Sequence, residues 1–204
     1  MEVKEIKANI FHVTYPTTQD LMKTFIRFQE RYESPKFKDK VFTVKEFSEW
    51  YKKDTGSEEF TYFDDWTGTN VPGHIFEAFR DGTFAKVHKL EQELLEKLPN
   101  DGRTYYVIGT AENGDLDDLE HEMCHALYYT NKDYLNEVTR LLNEYDTTSV
   151  EDYIIKLGYN KSVLHDETHA YISASSNSLI ERKIEFDKDL HNKLYELFKK
   201  TWRV

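Results

Sequence analysis

The sequence predicts an α+β fold, with a small, mainly N-terminal sheet followed by a helical C-terminal part. Three features carry this expectation. Residues 4–14, EIKANIFHVTY, partly alternate between apolar and polar and read as a strand. Residues 104–110, TYYVIGT, are rich in β-branched and aromatic side chains and read as another. From about residue 116 the chain reads as a succession of helices.

The elements follow in order. Thr17 and Thr18 precede DLMKTFIRFQERY, where Leu21, Phe25 and Phe28 fall at helical spacing. Ser34-Pro35 stops that helix, because proline disfavours helical geometry in the residue before it. Thr43-Val-Lys-Glu46 is a capping box that opens a helix through Trp50 and Tyr51. Residues 54–72 look irregular, with room for a short strand and a turn-rich loop. Helices are expected at about 74–80 and 84–98, parted by Asp81-Gly82, and Asn100-Asp101-Gly102 makes a turn. Asn113-Gly114 breaks the 104–110 strand, and Asp115 can cap the helix that follows. That helix spans about 116–130. Others are expected at 131–144, after the cap-like Ser149 as far as Leu157-Gly158, from Ser162 or His165 to Ser175, and at 187–202.

With 204 residues, a single domain over 1–204 is expected. Within it lie an unassigned α+β part at 1–103, an active-site region at 104–175 and a C-terminal helix in 176–204. Aromatic residues make up 15% of the chain, which argues against disorder. The formal net charge of −11 repels phosphate backbones and anionic lipid heads, so neither nucleic acid nor a membrane surface is expected as a partner. Cys124 is the one cysteine, so no internal disulfide can form. The opening MEVKEIKANIFHV lacks a signal-peptide pattern, and a cytoplasmic location is the simplest expectation.

The chemistry-bearing segment is Leu119-Glu-His-Glu-Met-Cys-His-Ala-Leu127, which contains His121-Glu122-x-x-His125. Residues four apart share one helical face, so two imidazoles can reach one metal ion from a rigid support. Glu122 follows the first histidine, so its carboxylate is offset toward a metal-bound water rather than the metal. Leu119, Met123, Ala126 and Leu127 supply an apolar face that would bury this helix. Polar ligands on so core-like a helix demand an explanation.

His121-Glu122-Met-Cys-His125 after the strand TYYVIGT resembles the active-site helix of the zincin metallopeptidases. Downstream, Asp166-Glu167-Thr-His-Ala170-Tyr171 resembles the gluzincin helix that supplies a third ligand, a Glu followed by Ala three residues on. The resemblance covers roughly residues 104–175. The extended metzincin pattern is absent, because position 128 is Tyr and position 131 is Asn. The resemblance implies a zincin-like fold with the 104–110 strand at a sheet edge beside the metal helix. It also implies a Zn2+ cofactor on His121, His125 and Glu167, and hydrolysis of a peptide or protein substrate. Such an edge strand could hold an extended peptide by strand addition.

Alternatives for the third ligand stay open at this point. His165 and His169 are also four apart and share the helix with Glu167. Together with His121 and His125 they could close a structural site of a non-enzymatic interaction domain. Glu122, the expected general base, is the residue such a site does not need. Tyr171, four residues after Glu167, is the candidate oxyanion donor, with Tyr128, Tyr129 and Tyr159 as other tyrosines in range. Cys124 is expected to be a small core residue.

Overall fold

A computed structural model of the chain describes residues 1–66, 68–112 and 116–203, the side chains of 116–118 excepted. The described chain divides into two compact units, Met1–Asp115 and Leu116–Val204. The single expected active-site region at 104–175 is thereby divided: its strand belongs to the first unit, and its histidine helix opens the second. The expected Asn113-Gly114 break and Asp115 cap lie outside the described residues.

The first unit begins with β1 (Glu2–Lys7) and β2 (Ile10–Tyr15), paired antiparallel. The single strand expected at 4–14 is therefore a hairpin. Asn9 sits at φ 62° in its turn, a left-handed conformation that Asn tolerates better than most residues. Next come α1 (Thr18–Glu33), α2 (Val44–Thr55) and the one-turn α3 (Tyr62–Asp65). They are followed by β3 (Gly68–Pro72), a 3-10 turn at Gly73–Phe76 that runs into α4 (Glu77–Arg80), α5 (Lys89–Leu95), and β4 (Tyr106–Ala111). Thr17 caps α1 by accepting from the Asp20 N–H, and Thr43 with Glu46 forms the expected capping box on α2. The helix expected at 84–98 is shorter, because Glu91 is drawn inward. It accepts from the His88 N–H at 2.7 Å and from buried Arg27 Nε at 2.6 Å.

The sheet order is β1-β2-β4-β3, with β4 parallel to β2 and antiparallel to β3. The expectation that the 104–110 strand lies at an edge is therefore corrected. β4 is an interior strand with both backbone edges paired, so it has none left for an added peptide. All six of its residues are buried, the pattern of a strand covered on both faces. Gly109 has no room for a side chain under α1: a Cβ there would lie 2.7 Å from Leu21 Cδ1. The core of this unit joins β-strand residues Val13, Val71 and Val107 to Leu21, Phe25 and Phe28 of α1, with Phe76 and Phe79 beyond them.

Glu30 on α1 carries a pH-dependent cost. Its carboxylate accepts from the Tyr62 hydroxyl at 2.7 Å. Burial pushes the carboxyl up to about 7, and hydrogen bonds from Tyr62 and Ser34 offset only part of that rise. In the unfolded chain the group ionises near 4.5. Between those values the folded state keeps a proton that the unfolded state has released, so stability falls as pH rises from about 4.5 to about 7. Glu30→Gln keeps an acceptor for Tyr62 and has no proton to lose. Relative to the wild type it should gain on the order of 3 kcal/mol between pH 4.5 and 7.5. Urea denaturation at both pH values checks this, and an unchanged difference contradicts it.

The second unit is all helix. It contains α6 (Leu116–Thr130), α7 (Lys132–Glu144), α8 (Thr148–Lys156), a 3-10 turn at Lys161–Val163, α9 (Leu164–Ala174), α10 (Ser176–Glu181) and α11 (Lys188–Arg203). α9 is its centre and touches α6, α7, α8, α10 and α11. Its residues 167–170 and 172–173 are buried on every side, including Glu167 and His169. No helix among the described residues is long and apolar enough to cross a membrane.

Candidate metal centre

α6 is helical through the whole motif, so His121 and His125 sit one turn apart on the same face. Their Nε2 atoms approach to 3.1 Å. Packing α9 against α6 brings Glu167 to the same point. Its Oε2 lies 3.7 Å from His121 Nε2, and its Oε1 lies 3.6 Å from His125 Nε2. Ala170, one turn after Glu167 and wholly buried, leaves room for the close approach of the two helices. Among the described residues, these three are the group whose ligand atoms gather as a metal site requires, all within 4.8 Å of one another.

The opposite face of each imidazole is held. His121 Nδ1 lies 3.0 Å from Ser175 Oγ, at the end of α9. His125 Nδ1 lies 2.9 Å from Asp166 Oδ1, an ion-pair contact outside hydrogen-bond alignment. Asp166 and Glu167 are adjacent on α9, so their side chains diverge by about 100°. One reaches the Nδ1 side of His125 and the other the Nε2 side. With Nδ1 protonated on both rings, both Nε2 lone pairs point at the carboxylate of Glu167. A carboxylate paired with the outer nitrogen of a histidine is the usual support of a metal-ligating imidazole.

The residues fit a small divalent cation. Tetrahedral zinc with ligands at about 2.0–2.1 Å sets neighbouring ligand atoms about 3.3 Å apart. The two imidazole Nε2 atoms, 3.1 Å apart, lie near that value. Each has a different Glu167 oxygen within 3.7 Å, and with one carboxylate oxygen the three ligand atoms lie within 4.8 Å of one another. Glu167 Oε2 is buried and makes no hydrogen bond, a costly state for a carboxylate oxygen unless a cation meets it. The electrostatics agree. Burial by itself lowers the His125 pKa, yet the Asp166 and Glu167 carboxylates, with a smaller push from Glu122, raise it well above the ordinary histidine value.

The remaining candidates are placed as follows. Glu122 is half-buried and stays outside the ligand cluster, although its charge reaches His125. Tyr171 stands edge-on to the His121 ring at 5.0 Å, and burial pushes its phenol up to about 12. His165 Nδ1 meets the Tyr128 hydroxyl at 2.9 Å, outside the cluster. His169 is fully buried behind it. Its Nδ1 lies 3.0 Å from the Asp166 carbonyl and its Nε2 3.0 Å from the Tyr134 hydroxyl. Neither histidine closes a four-histidine cage. Cys124 is buried as expected, and burial raises its thiol pKa well above the ordinary value.

Sequence reasoning missed the supports: Asp166, Ser175, and the His169–Tyr134 contact. Asp166 carried a signal, being a carboxylate next to a candidate ligand with a histidine one turn on. Ser175 and Tyr134 carried none, because their roles depend on where α9 ends and how α7 packs. Comparison with protein-family models, with curated proteins and with solved structures returned no match to this chain.

Proposed function

We propose that this chain is a zinc-dependent peptidase of the gluzincin type. His121, His125 and Glu167 hold one Zn2+ and leave one position open. The observation that carries the reading is the meeting of two imidazole Nε2 atoms and an orphaned, buried carboxylate oxygen at one point, with Glu122 beside but outside it. Three protein ligands are the composition of an open, catalytic zinc site, whereas a structural site is closed by four. When bound, zinc supplies a Lewis acid and lowers the pKa of a coordinated water toward 7. Glu122 would be the base that accepts a proton from the attacking water at its carboxylate and gives it to the leaving amine. Tyr171, against His121, is the hydrogen-bond donor to the developing oxyanion. Asp166 and Ser175 hold the two imidazoles in the ligating tautomer.

The test is a peptide-library screen on zinc-loaded protein. It is expected to reveal hydrolysis that a chelator abolishes and added zinc restores. Cleavage that persists in the metal-free protein, or no cleavage by protein loaded with stoichiometric zinc, counts against the reading.

The supports have their own expected effect. Asp166→Ala should weaken zinc binding by about 10–100-fold. Asp166→Asn should lose less, because an amide oxygen still faces His125 Nδ1. Competition with a zinc-binding dye measures both. Equal affinity in Asp166→Ala and wild type removes Asp166 from the metal centre.

A further inference from the structure

A line of aromatic rings in the second unit starts on a proposed ligand and ends on a cation. His121 meets Tyr171 edge-on at 5.0 Å. Tyr171 meets Tyr153 edge-on at 5.9 Å, with an interplanar angle of 87°. The Arg182 guanidinium carbon lies over Tyr153, 5.9 Å from the ring centroid. Both tyrosines are half-buried and Arg182 is exposed, so the line runs from the metal centre to the surface.

Arg182 differs from most arginines of this chain. Arg27, Arg80, Arg103 and Arg140 each pair with a carboxylate. Among the described residues no carboxylate pairs with Arg182, although the chain is strongly acidic. An exposed arginine on a tyrosine face is ordinary packing by itself. Here that face belongs to the line that reaches His121, and the guanidinium keeps its carboxylate-binding edge free.

We infer that Arg182 is a specificity-determining residue of this site and receives a substrate carboxylate a few residues from the scissile bond. The inference rests on the peptidase reading. An extended peptide advances about 3.3 Å per residue, so about two residues cover each step of the line. The carboxylate therefore lies within about five residues of the bond cleaved. The contact with the Tyr153 face restricts the guanidinium while leaving its edge able to bind a carboxylate by two prongs. An Asp or Glu side chain and a free peptide C-terminus share this chemistry.

The test uses the full chain with Glu122→Gln, loaded with zinc, so that binding is measured without turnover. Isothermal titration compares hexapeptide pairs that differ in one carboxylate: Glu against Gln at each position, and C-terminal acid against amide. At least one pair should show about tenfold tighter binding of the carboxylate form, and which pair does so separates side chain from C-terminus. Adding Arg182→Gln should abolish that contrast without changing zinc content, whereas Arg182→Lys should retain part of it. Raising the salt should shrink it. The inference is overturned if no pair shows a contrast, or if the contrast survives Arg182→Gln. A contrast in binding with no hydrolysis by the zinc-loaded wild type keeps the carboxylate subsite and defeats the peptidase reading. Hydrolysis without a contrast does the reverse.

Discussion

Glu122→Gln is expected to keep zinc and fold while lowering the turnover of any peptide substrate by about 10²–10⁴-fold. The amide matches the carboxylate in shape but cannot accept a proton. Glu122 lies outside the ligand group, so its replacement leaves His121, His125 and Glu167 able to bind the ion. The loss should fall on kcat rather than KM, because the proton moves in the transition state and not on binding. Circular dichroism and metal content establish that the variant is intact. Full turnover by metal-replete Glu122→Gln protein assigns the base elsewhere.

The second large effect is on the metal itself. His121→Ala, His125→Ala and Glu167→Ala should each lower zinc affinity by more than the roughly 100-fold that loss of a supporting residue produces. His165→Ala should leave it unchanged, because that side chain is engaged with Tyr128 away from the cluster. His169→Ala should fall between. It removes a neighbour of Asp166, whose carboxyl would be raised by burial but is held below the usual range by His125 and His169. Removing Glu167 has a second consequence. It takes away the buried oxygen that lacks a hydrogen bond, so the variant should lose zinc without losing stability in the metal-free form. Chelator competition and thermal melts of the metal-free proteins measure the two effects separately. Normal zinc binding by Glu167→Ala, together with loss in either His165→Ala or His169→Ala, transfers the third ligand to a histidine.

Local rules carried the sequence reading a long way and failed where tertiary pairing decides. The helix holding His121 and His125 was legible because its start, period and end are all local, and its bounds agree with Leu116–Thr130. The capping box at Thr43 and the stop at Ser34-Pro35 were legible for the same reason. The hairpin at Asn9 was not, because Ala8-Asn9 is a weak turn signal inside a run of alternating residues. The place of β4 within the sheet was not legible either. A run such as TYYVIGT shows burial, but the strands on either side come from residues 10–15 and 68–72, and no local pattern selects them. The candidate site divides in the same way. The one-turn spacing and the adjacent Glu122 were readable, and Glu167 was one of three open ligands. The choice among the three depends on the face α9 turns toward α6, which buries Glu167 against both Nε2 atoms and points His169 at Tyr134.

X-ray absorption on the zinc-loaded full chain tests the central claim most directly, because it reads the ligands of the ion itself. One zinc per chain is expected, with two imidazole nitrogens and two oxygens at about 2.0–2.2 Å, one oxygen from Glu167 and one from water. In Glu167→Ala protein at saturating zinc, the carboxylate contribution should disappear while both imidazoles remain. A shell of four protein nitrogens, a sulfur at about 2.3 Å, or a spectrum unchanged by Glu167→Ala contradicts the account.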